Sequence, residues 1–370
     1  MNIIKKIIIF LILLVIVFFF GGNYYQNFLA ALSQKKIEKI DQDGFGNSLF
    51  VNQNNIPFIS YVLENGDLIF AQKNNREWQK EIVADDAFAG HKTSLAVDKN
   101  GLIAILYINK KNQLKLATKK YTNKKNKKYE KWEFENISNN AALSCNLVFD
   151  DKNNPHISFW SPGVGILYAK KEKGKWPIEV LDSGEVGWWN DISLDKKQQP
   201  HISYFDFKNG ALLYLEKENG QWKKETVDFG KDTGRWNAIL IDKNENVFIS
   251  YVDADVGILK IAKKTKGGWS VEKIDDGGII GEQTNISLDE KENLVVSYSV
   301  LSDNTFRIAK KINNNWVVSI VDMGTSLPQK KIKGDIGRNS SLFIDKEGKI
   351  YLLWQDLSQK KLKYSSKKNF

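Results

Sequence analysis

The sequence predicts an all-β protein: a seven-bladed β-propeller of four-stranded antiparallel blades, closed by its own N-terminal strand and preceded by one N-terminal transmembrane helix. Three observations carry that reading. An Asp, replaced by Asn in the first copy, is followed nine residues later by an aromatic in seven successive segments. A tryptophan returns about once per segment. The last segment stops one strand short, while a matching strand stands near the N-terminus.

Residues 1–6 carry Lys5 and Lys6 and precede an unbroken apolar run, Ile7 to Phe20, closed by Gly21 and Gly22. Residues 7–22 therefore read as a transmembrane signal anchor, or as a signal peptide, since the run is short for a span. The first passable cleavage site, Ala31-Leu32-Ser33, lies far downstream. Lysines ahead of the run leave 1–6 in the cytoplasm. Residues 23–35 become a linker, and 36–370 are extracytoplasmic, or secreted if the segment is cleaved.

The repeats follow. The Asp positions are Asn52, Asp98, Asp150, Asp195, Asp242, Asp289 and Asp345; the aromatics are Tyr61, Tyr107, Phe159, Tyr204, Tyr251, Tyr298 and Trp354. Composition cannot produce that constant spacing. After each aromatic come a turn, a third strand such as ALLYLEK, a Gly/Asn turn, and a last strand opening on Trp78, Trp132, Trp176, Trp222, Trp269 or Trp316. Those tryptophans are 54, 44, 46, 47 and 47 residues apart. Four short alternating runs per unit describe one blade, and a blade cannot bury its own faces, so units of this length stack around an axis. The seventh copy ends at KLKYSSKKNF without its Trp strand, and KIEKIDQDG from Lys36 matches that strand. Closing the ring with it removes an open seam.

The turns before the tryptophans, EKGKW, ENGQW and KGGW, resemble a worn Asp-box, the bacterial neuraminidase repeat of sialidase-like propellers. The resemblance runs over essentially all of 36–370. The Ser and Asp of a full Asp-box are mostly missing, and sialidase-like proteins use six blades, so the likeness implies fold more than activity. By that likeness a glycoside hydrolase would need three arginines for a carboxylate, a Tyr–Glu pair and an acid. Only Arg76, Arg235, Arg307 and Arg338 exist, and two of them, Arg235 and Arg338, fall on the ligand face.

In a propeller the fourth-to-first and second-to-third connections share one face, here the top. Seven residues before each repeated Asp stand Phe45, His91, Leu143, Trp188, Arg235, Glu282 and Arg338; a second ring after the aromatics includes Trp160, Asp206, Asp253 and Asp356. Trp188, Trp189, Asn190 and Trp236 depart furthest from the repeat, since other copies carry small or polar residues there. Exposed indoles beside Asn and Arg suit stacking on a sugar or anchoring a protein, and the alternative is packing between blades 4 and 5. Candidate ligand-binding residues are thus Trp188, Trp189, Asn190, Arg235, Trp236, Arg338, His91, Trp160, Trp354 and Asp356. Asp206, Asp253 and Glu282 are the alternative catalytic carboxylates, with turn capping as the competing role for Asp206, Asp253 and Asp356. The preferred function is a glycan- or protein-binding module, with a glycan-active enzyme as runner-up.

Composition limits the rest. With 42% hydrophobic and 26% charged residues the chain can bury a core, and six prolines exclude collagen-like architectures. A net charge of +10 comes almost wholly from lysine in a Lys/Asn-rich sequence, so no nucleic-acid partner is implied. Lys119, Lys120, Lys124, Lys125, Lys127, Lys128 and Lys131 crowd one bottom turn, which reads first as a solvated loop and, as the alternative, as a surface for anionic lipid. That leaves a comparatively acidic top, with Asp182, Asp228, Asp275 and Asp276. One cysteine, Cys145, cannot form an internal disulfide and stands where other copies have Asn, Thr or Ser, as a small buried residue. Three histidines supply no metal set; His156 and His201, in repeated PHIS segments, read as packing residues. No cofactor is expected.

Overall fold

A computed structural model describes residues 37–74, 77–120, 131–141, 144–324 and 336–368. Seven sheets of four antiparallel strands form in sequence order, each a meander. The exception is the last, where Ile336–Ile344, Ile350–Asp356 and Lys361–Lys367 are completed by Glu38–Gln42 from the other end of the chain. Glu38 pairs with Tyr364 and Lys39 with Lys363, so the closing strand sits where the sequence match requires. Among the described residues no helix is long and apolar enough to cross a membrane. The segments 1–6, 7–22 and 23–35, and Lys124, Lys125, Lys127, Lys128, Leu143, Arg76 and the 325–334 insertion, lie outside the described residues.

The repeated Asp is a turn residue. Its carboxylate accepts the backbone N–H groups two and four residues on, for example Asn100 and Leu102 at Asp98 (2.9 and 2.7 Å) or Lys291 and Asn293 at Asp289 (2.9 and 2.8 Å). Three residues after it, every copy adopts positive φ: Asn55, Gly101, Asn153, Gln198, Glu245, Glu292 and Gly348. Glycine would suit that conformation best. Yet Asn153 accepts the N–H of Lys99, Gln198 that of Asp151, and Glu245 that of Lys196, each one blade back. A side chain that ties two bottom turns together offsets the backbone strain.

The repeated aromatic closes the seams between blades. Its polar atom reaches a carboxylate on, or just past, the outer strand of the preceding blade: Tyr61 to Asp41, Tyr107 to Asp86, Tyr204 to Asp182, Tyr251 to Asp228, Tyr298 to Asp275 and Trp354 to Asp322. Phe159 alone has no polar atom, and the strand register puts Ser138 where the acid would be. Burial and the facing carboxylate raise the phenol pKa values above the ordinary tyrosine range.

The repeated tryptophan makes a second latch further out. Trp78, Trp176, Trp222, Trp269 and Trp316 donate their indole N–H to Glu38, Glu135, Glu179, Glu225 and Glu272 of the preceding blade. In four of these latches a lysine of the same blade bonds that glutamate and lies over the indole, as Lys217 does at Trp222 and Lys311 at Trp316, while at Trp269 the lysine, Lys264, bonds Glu225 and lies over Tyr214. Lys119 belongs to this set, held by Glu81 over Trp132. It is therefore a latch residue and not part of a free basic patch, whereas Lys120 and Lys131 are exposed.

Candidate functional site

The first strand of each blade begins at the top, and in blades 4 and 5 a bulge there builds the site. In blade 4 (Val186–Leu194) Gly187 and Trp189 both have positive φ; in blade 5 (Thr233–Ile241) the same holds for Gly234 and Trp236. A Cβ on Gly187 or Gly234 would strike the backbone of Ile166 or Leu212, so only glycine fits there. Asn190 and Asn237 lock the loops by donating to the Gly187 and Gly234 carbonyls, both at 2.9 Å. Asn190 also receives the Ser158 hydroxyl at 2.7 Å and donates to Ser144 at 3.1 Å. It is fully committed to the fold beneath the site.

The same register runs around the ring as Asn47, Thr93, Cys145, Asn190, Asn237, Thr284 and Ser340, five residues before each repeated Asp. Thr93 and Thr284 donate to the carbonyls of Gly46 and Trp236 in the preceding blade, and the Cys145 thiol lies 3.5 Å from that of Lys92. Cys145 is thus a stand-in for threonine, its pKa pushed up to about 12 by complete burial. One residue beyond Asn190, the Asp191 carboxylate accepts the Ile239 N–H of the next blade at 3.0 Å. Burial raises its pKa, and the nearby Lys92 opposes that.

Above this register lies a strip of aromatic side chains. Trp160 meets Trp188 (centroids 5.1 Å apart), Trp188 meets Trp189 (5.5 Å), and Trp189 meets Trp236 (5.1 Å). Phe207 stacks on Trp188 at 5.1 Å and 27°, and buried Phe205 packs against Trp189. The four indoles are half-buried. The Arg235 guanidinium lies over Trp189 and Trp236, at 5.2 and 5.6 Å, and is paired with Asp232. Trp160, Trp188, Trp189, Arg235 and Trp236 are therefore brought together. Phe207 and Asp232 were missed by sequence reasoning, because each lies in a top connection outside the repeat.

The remaining candidates fall elsewhere. Trp354 and Asp356 are fully buried: Trp354 bonds Asp322 at 3.0 Å, and Asp356 pairs with Lys363 at 2.7 Å while capping Gln359. This corrects the expectation that they line the ligand face. Both belong to the seam between blades 6 and 7, where Lys363, Asp322 and Asp356 form a buried ion trio. Asp206 holds its own turn through Asn209, and Asp253 sits against Lys260 at 2.7 Å. Glu282 and Arg338 meet across blades 6 and 7 at 3.2 Å, away from the aromatic strip in the order of blades. His91 is buried with its ring edge-on to Phe88 at 4.4 Å.

The expected acidity of the top is also corrected. Asp182, Asp228 and Asp275 are consumed by the seam tyrosines and by Lys224, Lys260 and Arg307. On the bottom, His156 bonds Tyr168 at 2.8 Å and lies 3.4 Å from Asp150; burial holds its pKa down at about 4, so the ring is neutral. His201 repeats this with Tyr214. Among the described residues no group of three or more His, Cys, Asp or Glu side chains could hold a metal.

No family model and no curated protein matches the chain. Solved structures do. The BP39L lectin from Burkholderia pseudomallei superposes with a TM-score of 0.68 at 12% identity, over 87% of this chain and 94% of that one. The Aleuria aurantia lectin, described as a six-bladed β-propeller with a novel fucose recognition mode, aligns with a TM-score of 0.54 at 13% identity over 77% and 97%. The SapL1 lectin, solved with alpha methyl fucoside, gives 0.53 at 12% over 78% and 99%. At such identities the likeness establishes the propeller fold.

Proposed function

We propose that this chain is a lectin-like glycan-binding module with its site on the top of blades 3 to 5. One observation carries the reading: four half-buried indoles in mutual contact on the ligand face, none of them required by the repeat. Indole faces stack on the C–H face of a sugar. The Arg235–Asp232 pair beside them offers donors and an acceptor for sugar hydroxyls. That the solved neighbours named above are lectins supports the assignment, and the fucose recognition described for two of them makes fucosylated glycans the first ligands to try.

Catalysis is disfavoured by the carboxylates themselves. Glycoside hydrolysis needs two carboxyl groups facing one bond. Asp206, Asp253 and Glu282 each serve a different turn or seam, with partners that hold them there. The kinship with sialidase-like propellers is accordingly proposed for the repeat alone. We also place the propeller outside the cytoplasm, tethered through residues 7–22, with the bottom lysines adding attraction to anionic lipid; alkaline extraction of membranes from expressing cells tests the tether.

A glycan array probed with the full-length protein tests the main reading. Trp188→Ala and Trp236→Ala should each weaken binding about tenfold or more while thermal unfolding stays within a few degrees of the parent. Unchanged array signal in both variants would refute the site, and capture of a protein ligand without any glycan signal would replace the ligand class.

A further inference from the structure

We infer that the strip is built for an extended oligosaccharide and not for a single terminal sugar. The inference rests on the glycan-binding reading above. Trp160, Trp188, Trp189 and Trp236 form one unbroken succession of ring contacts, each step 5.1 to 5.5 Å. They come from three consecutive blades: the end of Pro155–Ser161 in blade 3, the start of Val186–Leu194 in blade 4 and the start of Thr233–Ile241 in blade 5. Three successive ring contacts thus link side chains drawn from three blades, more aromatic surface than one pyranose ring covers.

The polar groups are not spread evenly along it. Arg235 packs over Trp189 and Trp236 and is tied to Asp232, so hydrogen-bonding capacity gathers between blades 4 and 5. The blade 3 end, at Trp160 and Trp188, offers rings, with Phe207 stacked alongside. The arrangement assigns one orienting subsite at Arg235 and stacking subsites that continue toward blade 3. Past Trp236 the same register holds Gln283 and then Asn339, and the aromatic strip ends.

The backbone points the same way. Trp189 and Trp236 hold φ of 46° and 50°, a region suited to glycine or to short polar residues. Gly46, Gln283 and Asn339 occupy the equivalent positions in blades 1, 6 and 7, also at positive φ, so the conformation recurs at this register and blades 4 and 5 fill it with rings. Two bulky residues kept in a strained conformation at one register mark a surface retained for what the rings touch.

The test is calorimetry on the full-length protein with length-graded oligosaccharides, from methyl α-fucoside through fucosylated and N-acetylglucosamine-based chains of up to about five units. Affinity should rise about tenfold or more between the monosaccharide and the longer chains. Trp160→Ala should remove most of that gain, costing the longer chains about tenfold more than it costs the monosaccharide, while Trp160→Phe, which keeps a ring, should retain it; matched thermal unfolding controls for folding. Equal affinity for short and long chains would overturn the extended site, as would a Trp160→Ala loss that falls equally on the monosaccharide. Failure of every glycan to bind would overturn the glycan reading itself.

Discussion

The two ends of the first strand bend the backbone into the same left-handed conformation for different reasons. At the bottom, Asn153, Gln198 and Glu245 take positive φ and use their side chains to bond the neighbouring turn. At the top, Trp189 and Trp236 take positive φ and present rings to a shared surface. One end is nearly the same in all seven copies because each copy does the same structural work. The other varies because only blades 3 to 5 carry the strip. Uniformity in a repeat protein therefore marks stability, and departure from it marks the face proposed above for binding.

The sharpest way to break that contrast is to damage the bottom. Asp289→Ala removes a buried carboxylate that accepts two backbone N–H groups and the Asn293 amide and pairs with Lys310 at 2.6 Å. A loss of about 3 kcal/mol in urea unfolding is expected, against little change for the top-face Trp188→Ala. Comparable losses for the two variants would erase the division of labour.

Acid sharpens it next. His156 has a folded pKa of about 4, below the ordinary histidine value near 6.5, because burial disfavours its charge. The unfolded chain therefore binds the proton more readily. Stability contributed by the neutral ring is complete above about pH 6.5 and declines as pH falls toward 4, by up to about 1.4 kcal/mol per pH unit. His201 is shifted in the same direction. His156→Gln should flatten the dependence in unfolding measured between those limits; an unaltered slope would contradict the burial argument.

The smallest effect concerns a seam. Tyr204→Phe strips the hydroxyl from Asp182 and should cost about 1 kcal/mol. Adding Asp182→Ser reproduces the natural pairing of Phe159 with Ser138, so the double variant should lose less than the two single losses combined. Strict additivity, read from the double-mutant cycle, would show that the two positions are not coupled.

Much of the fold is legible in the sequence. The spacing from Asp98 to Tyr107, and its six counterparts, defines a hairpin and an inter-blade contact, both local to one repeat. The match of KIEKIDQDG to the missing last strand likewise fixes closure. Site residues are legible only where they break the repeat: Trp188, Trp189 and Trp236 stand out, whereas Phe207 and Asp232 sit in connections with no consensus to depart from. Asp182, Asp228 and Asp275 look like surface acids because their partners lie about half a repeat away on the next blade.

The number of blades, their strand order and the way the ring closes were all settled by the chain's own pattern, because each is encoded in a motif that recurs within one unit. Which aromatics are latches and which are exposed was left to the packing of one blade on another. Trp354 and Trp160 both stand near the end of a second strand, but Trp354 holds the repeated aromatic position and is sealed in the seam against Asp322, whereas Trp160, one residue later in its repeat, points to the opposite face of its strand and is half-buried against Trp188. That outcome depends on what the neighbouring blade places opposite each ring, and burial is a property of the pair.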